Sequence, residues 1–285
     1  MKKRFFKCLL LTALIGLAFL VWLPLWFVVS GALLPLDELN DTLAPALGLS
    51  QSAQHATWRM LPSWPSLQPM TELLLDTPQF FVMFWNTCGQ VVLQIIGQVC
   101  IATPAAWALS RLRFRGRGVL MVLYVTLMLM PFQVTMVPNF LILDALGLRD
   151  TPWAIIFPGA FSAFAVFIIA KGFDAVPRSL LEAAVMDGAN HWQIFWHVGL
   201  PLGLPGILAA LVLGFLEAWS AIEQPMILLQ DKSQWPLSLY LSEITVQNLG
   251  VSLAASLVML APSVVIFQFG QAYLELGIHT SGLKE

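Results

Sequence analysis

The stretch Arg178–Leu202, RSLLEAAVMDGANHWQIFWHVGLPL, decides how this chain is organised, because it is neither a clean membrane span nor an irregular loop. Ser179 followed by Glu182 has the spacing of a capping box, in which the hydroxyl accepts from an early helical amide and the carboxylate reaches back to the cap amide. This pattern predicts a short helix over LLEAAVMD. Gly188 then lies where a residue in the left-handed conformation ends such a helix.

A second helix is predicted directly after this glycine. Asn190 can cap it, with Gln193 at its third position, and Pro201 is predicted to stop it. The stretch is therefore predicted to form a helix, a glycine turn and a second helix outside the lipid. Periodicity alone leaves open an amphipathic hairpin that only rests on the lipid headgroups.

The composition is that of a polytopic membrane protein. Hydrophobic residues make up 58% of the 285 residues and charged residues 11%, a balance that is rare in soluble domains. Several stretches approach or exceed the roughly 20 apolar residues that a helix needs to cross a bilayer. Cys8, Cys88 and Cys100 lie within or at the edge of apolar stretches without metal-ligand spacing, so they are predicted to be packing residues.

Six membrane-spanning helices in an all-α fold are predicted from these stretches. A basic N-terminus precedes the first stretch, but that stretch is too long for a signal peptide, so it is predicted to be a retained span. A long outer loop is predicted over residues 31–79. The spans are predicted in one transmembrane domain of residues 1–285, at approximately residues 8–29, 80–109, 119–143, 152–170, 202–222 and 249–269.

The positions of the basic residues predict the orientation of these spans. With the N-terminus inside, only Arg59, Arg149 and Lys232 of the 14 Lys and Arg residues lie outside. Cytoplasmic loops carry the excess of basic residues in membrane proteins, so both termini and the hairpin are predicted to be cytoplasmic. The arginine-rich turn at residues 111–117 is more typical of a topology determinant than of a nucleic-acid site.

Four amide side chains form one stripe on the second predicted span, namely Asn86, Gln90, Gln94 and Gln98. Amides that face lipid without a partner are costly, so the stripe is predicted to face protein or a solute path. Of these two interpretations, hydrogen bonding to neighbouring spans is slightly favoured.

Two other predicted spans contain residues that are unusual inside a membrane helix. Pro131 and Pro138 interrupt the third span, and broken helices of this kind often line cavities. Glu217 lies within the fifth span, where an ionisable residue is a site hypothesis by default, although a carboxylate near the end of a span can also reach the interface.

The hairpin motif resembles a known family signature. Glu182-Ala183-Ala184, then Asp187-Gly188-Ala189 and Leu200-Pro201, resemble the EAA loop of bacterial ABC importer permeases. From about Trp85 onward the chain resembles the second permease subunit of maltose-type carbohydrate importers. The segments that carry this wider resemblance are ALSRLRFRGRG, MPFQVTMVPNFLILDALGLRDT, AVPRSLLEAAVMDGA and the tail that runs to Lys284.

The resemblance implies a permease subunit in the inner membrane of a bacterial cell. It implies that residues 178–201 form a cytoplasmic coupling loop that docks on an ATPase. It also implies a dimer of ATPase subunits that binds ATP and Mg²⁺, a second, non-identical permease and an extracellular solute-binding protein. The coupling residues that it implies are Leu181, Glu182, Ala183, Ala184, Val185, Met186, Asp187, Gly188 and Ala189.

A path for sugars should offer amide and carboxylate hydrogen-bonding groups and aromatic faces. The candidates in this sequence are Gln90, Gln94, Gln133, Asn139, Glu217 and Trp219. The chain departs from the family near this point, because the family usually carries a Trp-Asn pair where Trp219 is followed by Ser220.

The sequence offers no chemistry of its own for ATP. It lacks a phosphate-binding glycine loop with a lysine, and no catalytic or metal-ligand constellation is evident, so the chain is predicted to be no enzyme and to bind no cofactor. Two alternatives stay open. One is an ABC permease for another small solute such as a polyamine, phosphate or a glycerophosphodiester, and the other is a membrane protein that has no ATPase partner.

Overall fold

A computed structural model of the protein describes residues 2–35, 37–39, 62–241 and 249–282. Every secondary-structure element among them is helical, which confirms the predicted all-α fold. Residues 40–61 of the predicted outer loop lie outside the described residues, as does Lys284 of the family-like tail. The helices are α1 (Lys2–Ala32), α2 (Gln68–Thr71), α3 (Pro78–Arg111), α4 (Arg117–Leu129), α5 (Phe132–Ala145), α6 (Trp153–Ala160), α7 (Ala163–Asp174), α8 (Arg178–Met186), α9 (His191–Ile194), α10 (Leu200–Ser220), α11 (Glu223–Leu228), α12 (Leu237–Tyr240) and α13 (Leu249–Gly282).

Three shorter turns complete these elements. A π-helical turn, Glu72–Asp76, continues α2, and a second one, Phe195–Gly199, joins α9 to α10. A 3₁₀ turn covers Lys232–Gln234.

Five helical segments in the described part of the chain are long and apolar enough to cross a membrane. They become six if the bent pair α4 and α5 counts as one span. Each predicted span overlaps one of these segments, while the span boundaries and the sidedness stay predictions.

The third predicted span is broken where its sequence contains proline. α4 ends at Leu129 and α5 begins at Phe132, and the two helices are bent by 102°. Pro131 supplies the extended residue between them, with φ −67° and ψ 149°. Because proline lacks an N–H and disfavours helical geometry in the residue before it, the break falls at this position rather than elsewhere in the span. Pro138 lies inside α5 without ending it.

The chain divides into two compact units, of which the first comprises residues 1–81 and 240–261. In this unit most side chains of α1 from Phe6 to Trp26 are exposed, as expected of an apolar helix that meets lipid. At its end Gly31 approaches Leu253, since a Cβ on that glycine would lie 2.6 Å from the leucine Cδ1.

The second unit comprises residues 82–239 and 262–285 and contains the main hydrophobic core. Three aromatic side chains form its centre. The ring centroid of Trp107 lies 5.1 Å from that of Phe173 and 5.6 Å from that of Phe195. These residues come from α3, α7 and the π-helical turn, so the core joins the second span to both helices that flank the hairpin.

Candidate functional site

The turn of the hairpin is a Schellman motif. Gly188 has φ +82°, and its N–H donates to the carbonyl of Val185 at 3.0 Å. The N–H of Ala189 donates to the carbonyl of Ala184, also at 3.0 Å. These two bonds satisfy carbonyls that the end of α8 would otherwise leave open, and they fix the angle at which the chain turns back.

The second helix of the hairpin begins with the predicted capping box. The Asn190 side chain accepts from the N–H of Gln193, and the Gln193 side chain accepts from the N–H of Asn190, each at 2.9 Å. The prediction for this cap is therefore confirmed.

Two predictions about helix ends are wrong. Ser179 does not cap α8, because the helix already begins at Arg178 and the extended residue before it is Pro177, which makes no side-chain cap bond. Pro201 does not stop the second helix, because the chain stays helical from His191 to Ser220. The π-helical turn that precedes Pro201 explains this result, since a wider turn accommodates a residue without an N–H donor.

The hairpin has one packed side and one open side. Leu181, Ala184 and Ala189 pack against the aromatic core. On the other side Met186 is 87% exposed and Val185 is 55% exposed. The remaining residues of the motif, Glu182, Ala183, Asp187 and Gly188, are exposed as well.

A groove of about 900 Å³ lies beside this open side. Its walls come from the end of α3, the following arginine-rich turn, α8 and α9. Its lining is mostly apolar side chains with charged residues among them. A shallow groove with this lining has the character of a protein-docking surface. The residues that form most of it are Trp107, Arg113, Phe114, Leu181, Glu182 and Met186.

Arg111 fastens the base of the hairpin to α3. Its guanidinium donates to the carbonyl of Val176 at 2.6 Å and also to the carbonyl of Phe173. These two carbonyls lie at the end of α7 and just after it, where a helix leaves acceptors unsatisfied. The sequence indicated only a topology role for the arginine-rich turn, because nothing local reveals a bond that spans more than sixty residues.

A second cavity, of about 440 Å³, forms where three helices end or break. The break between α4 and α5, the break between α6 and α7 and the end of α10 all border it. Three of the predicted path residues line it together, namely Gln94, Asn139 and Glu217. Gln98 of the amide stripe also lines it, as do Glu223 and Gln224, which were not predicted.

The other predicted path residues lie outside the lining of this cavity. Gln90 donates to the carbonyl of Gln234 at 3.0 Å. Gln133 donates to the carboxylate of Glu223 at 2.9 Å, so it contacts a lining residue without being one. Trp219 is buried and stacks on Phe215, with ring centroids 5.4 Å apart.

Most of the amide stripe on α3 bonds to neighbouring backbone. Asn86 donates to the carbonyls of Ser233 and Trp235, at 2.6 and 3.2 Å. Gln98 donates to the carbonyl of Gly159 at 3.0 Å. Interhelical and loop bonding therefore accounts for Asn86, Gln90 and Gln98, whereas Gln94 makes no hydrogen bond with another described residue.

Asp150 holds the loop that follows α11. Its Oδ1 accepts from the N–H groups of Gln230 and Asp231, both at 2.8 Å. The residue has φ +54°, which aspartate tolerates better than most residues. Farther along, the hydroxyl and the N–H of Ser233 donate to Asp231 and lower the pKa of that carboxyl.

The described residues contain no group of three or more His, Cys, Asp or Glu side chains that could hold a metal ion. His191 lines the groove, and the Nδ1 of His197 lies 3.0 Å from the carbonyl of Gln193. Both histidines thus belong to the hairpin.

The fold and the hairpin define a helical membrane protein with an exposed helical hairpin between two of its candidate spans. Residues 98–279 match the family described as the binding-protein-dependent transport system inner membrane component. This match covers more than half of the chain, so the chain belongs to that family and is a multi-pass inner-membrane permease subunit of an ABC importer. The predicted family, location and class of protein are confirmed.

Curated relatives resemble the chain over most of their length. The inner membrane ABC transporter permease protein YcjP of Escherichia coli is 31% identical over 210 residues, which are 72% of this chain and 75% of the relative. The arabinooligosaccharides transport system permease protein AraQ of Halalkalibacterium halodurans is 26% identical, over 78% of this chain and 81% of its own. The maltose/maltodextrin transport system permease protein MalG of Yersinia pestis is 28% identical, over 93% of this chain and 89% of its own.

A solved structure shares the fold. A chain of a bacterial ABC transporter involved in the import of the acidic polysaccharide alginate superposes with a TM-score of 0.79. The two chains are 24% identical, and the match covers 96% of this chain and 98% of the other. In this family the chain is a transport subunit rather than an enzyme, and ATPase activity belongs to a separate subunit.

Proposed function

We propose that the chain imports a sugar or an oligosaccharide by alternating access, coupled to a separate ATPase through residues 178–201. The names of its relatives support the solute class, because permeases for arabinooligosaccharides and for maltose and maltodextrin resemble it over most of their length.

The partners in this proposal are a dimer of ATPase subunits, a second, non-identical permease and an extracellular solute-binding protein. A second structure with this fold, at a TM-score of 0.67 and 15% identity, is an alginate transporter in complex with its pentasaccharide-bound periplasmic protein. ATP and Mg²⁺ are bound by the ATPase subunits, where hydrolysis takes place. The bias of basic residues supports a cytoplasmic hairpin, with both termini on the same side.

The observation that carries the coupling role is the two-sided hairpin. Its inner side is packed on the aromatic core, and its outer side exposes Met186 and Val185 next to a groove. A short helix pair with a fixed turn acts as a rigid lever, because its Schellman motif and capping box leave few alternative conformations. An exposed apolar surface of this kind is typical of a site that binds another protein.

Motion of the hairpin can reach the solute path through the two helices that the hairpin connects. Its N-terminal end follows α7, and its C-terminal end continues without interruption into α10. α7 and α10 pack at glycines, where a Cβ on Gly206 would lie 2.6 Å from the Cα of Gly172. Displacement of the hairpin therefore moves both helices together and changes the cavity at their far ends, which is the two-state element that alternating access requires.

The test is co-purification of the ATPase subunit with the tagged chain from cells that express the complete transporter. Glu182→Lys should abolish both co-purification and solute uptake while the chain still inserts in the membrane. Normal co-purification and uptake by this variant would disprove the coupling role.

A further inference from the structure

The cavity between the helix breaks carries negative charge without a balancing cation. Glu217 and Glu223 line it, and no Lys, Arg or His belongs to its described lining. The Glu217 side chain is exposed to the cavity, and Glu223 accepts only a neutral amide, from Gln133.

Two amides that line the same cavity have polar atoms without a partner among the described residues. Gln94 is only 9% exposed, lines the cavity and makes no hydrogen bond with another described residue. Gly159 makes room for it, because a Cβ at that position would collide with the Gln94 amide. Gln98 is 2% exposed, and its Oε1 has no donor among the described residues. A polar atom that is buried without a partner is costly, so the Gln98 oxygen favours a ligand that carries hydroxyl groups, and the unbonded Gln94 amide beside it can bind the same ligand.

We propose that this cavity is the chain's own wall of the solute path, and that its two carboxylates select neutral or cationic sugars against anionic ones. This inference rests on the proposed function and names the solute class more narrowly. Amides donate to and accept from sugar hydroxyls, and carboxylates accept from them, whatever the sugar is. The carboxylates, however, repel a uronate and attract an amino sugar.

This selectivity separates the chain from the importer whose fold it shares. That importer takes up an acidic polysaccharide, whereas a path lined by Glu217 and Glu223 without a cation opposes an acidic solute. Likeness of fold and likeness of solute therefore diverge here, since the charge of a path is set by a few side chains and not by the helix arrangement.

The local potential can be measured without knowledge of the natural solute. In the complete transporter, Cys8, Cys88 and Cys100 are replaced by alanine and Ser220→Cys places one thiol on the wall of the cavity. The thiol is then treated with a cationic and an anionic methanethiosulfonate of similar size, both without nucleotide and with ATP and vanadate. For each state, the ratio of the cationic to the anionic labelling rate is divided by the same ratio for a small free thiol.

We expect the cationic reagent to be preferred by about tenfold beyond the free-thiol ratio, since a cleft lined by one sign of charge enriches the opposite ion. Combining Glu217→Gln with Glu223→Gln should bring the preference to within about twofold of the free thiol. If the double variant does not insert in the membrane, Glu217→Gln alone replaces it in the test, because that side chain is exposed. The single variant should remove part of the preference for the cationic reagent. The neutral probe maltotriose should slow labelling, and trigalacturonate at the same concentration should not.

Three results would overturn the proposal. Equal reaction with both reagents would mean that the cavity carries no negative potential. Protection by trigalacturonate equal to that by maltotriose would mean that the carboxylates do not select. A thiol that reacts in neither state would mean that the cavity does not belong to the path. Failure of the proposed function would look different, because it would leave Glu182→Lys with normal ATPase binding and uptake.

Discussion

Gly172 and Gly206 face each other across α7 and α10, and a Cβ on Gly172 would lie 2.7 Å from the Cα of Gly206. The atoms that oppose each added carbon are backbone, so neither neighbour can rotate away. This contact brings together the two helices that lead into and out of the hairpin. The close approach therefore adds to the contacts of Arg111 and of the aromatic core that hold the hairpin on the bundle.

Enlarging this contact should destabilise the protein. Gly206→Ala forces α7 and α10 apart, and we expect a loss of about 1–3 kcal/mol of stability, as for other overpacked cores. The loss is measured as a lower temperature at which half of the detergent-solubilised transporter remains monodisperse.

Gly89→Ala is the matched control for this change. Gly89 also lies in a helix, but nothing lies within 4 Å of an added Cβ. Alanine favours the helix over glycine by about 1 kcal/mol, so this variant should be as stable as the parent or more stable. Equal loss in both variants would show that the contact between α7 and α10 is not tight.

The left-handed turn should tolerate asparagine better than alanine and should not tolerate proline. An L-residue at φ +82° costs roughly 1–2 kcal/mol, and asparagine is one of the few non-glycine residues that visit this region. Gly188→Pro also removes the N–H that donates to Val185. Solute-stimulated ATP hydrolysis by the reconstituted transporter should fall in the order Gly188→Asn, Gly188→Ala, Gly188→Pro, with membrane insertion unchanged. A different order would mean that the turn does not set the position of α8.

Ser179 and Asn190, the two predicted caps of the hairpin helices, should respond differently to replacement by alanine. Asn190→Ala removes one half of a capping box and should cost about 1 kcal/mol of local stability. Ser179→Ala should cost little, because α8 begins before Ser179 and takes no side-chain cap. Hydrogen exchange of peptides from the hairpin measures this, with faster exchange expected for Asn190→Ala only. Faster exchange in Ser179→Ala instead would show that Ser179 does cap α8.

Reversing the charge of Glu182 should uncouple transport from ATP hydrolysis. Its carboxylate is exposed beside the groove, so lysine changes the surface without changing the fold. We expect at least a tenfold loss of ATPase co-purification and of uptake. Asp76→Lys is the control, because Asp76 is also exposed but ends the π-helical turn Glu72–Asp76 in the predicted outer loop. Equal losses in both variants would point to a general effect of charge rather than to docking.

Features set by local chemistry could be predicted from the sequence. The turn at Gly188 and the cap at Asn190 depend on residues within a few positions of each other, and both were predicted correctly. The break in the third span follows from Pro131 in the same way. The class of fold follows from composition, because a chain this apolar must satisfy its backbone within helices.

Features set by tertiary contacts could not be predicted. Pro177 and Arg178 displaced the expected start at Ser179, and a π-helical turn absorbed Pro201. Arg111 reaches carbonyls of α7 that no local pattern connects with it. The stripe of amides on α3 was visible in the sequence, but which amide bonds to backbone and which faces the cavity depends on where other helices pass.

The central claim is that the open side of the hairpin binds an ATPase, and a photo-crosslinking residue at Met186 tests it most directly. Met186 is 87% exposed at the end of α8. Met226, which is 53% exposed on α11, is the control at the proposed outer side. Irradiation of cells with the complete transporter should give an adduct with the ATPase subunit from position 186 and none from position 226. Absence of that adduct at position 186, or its appearance at position 226, would contradict the account.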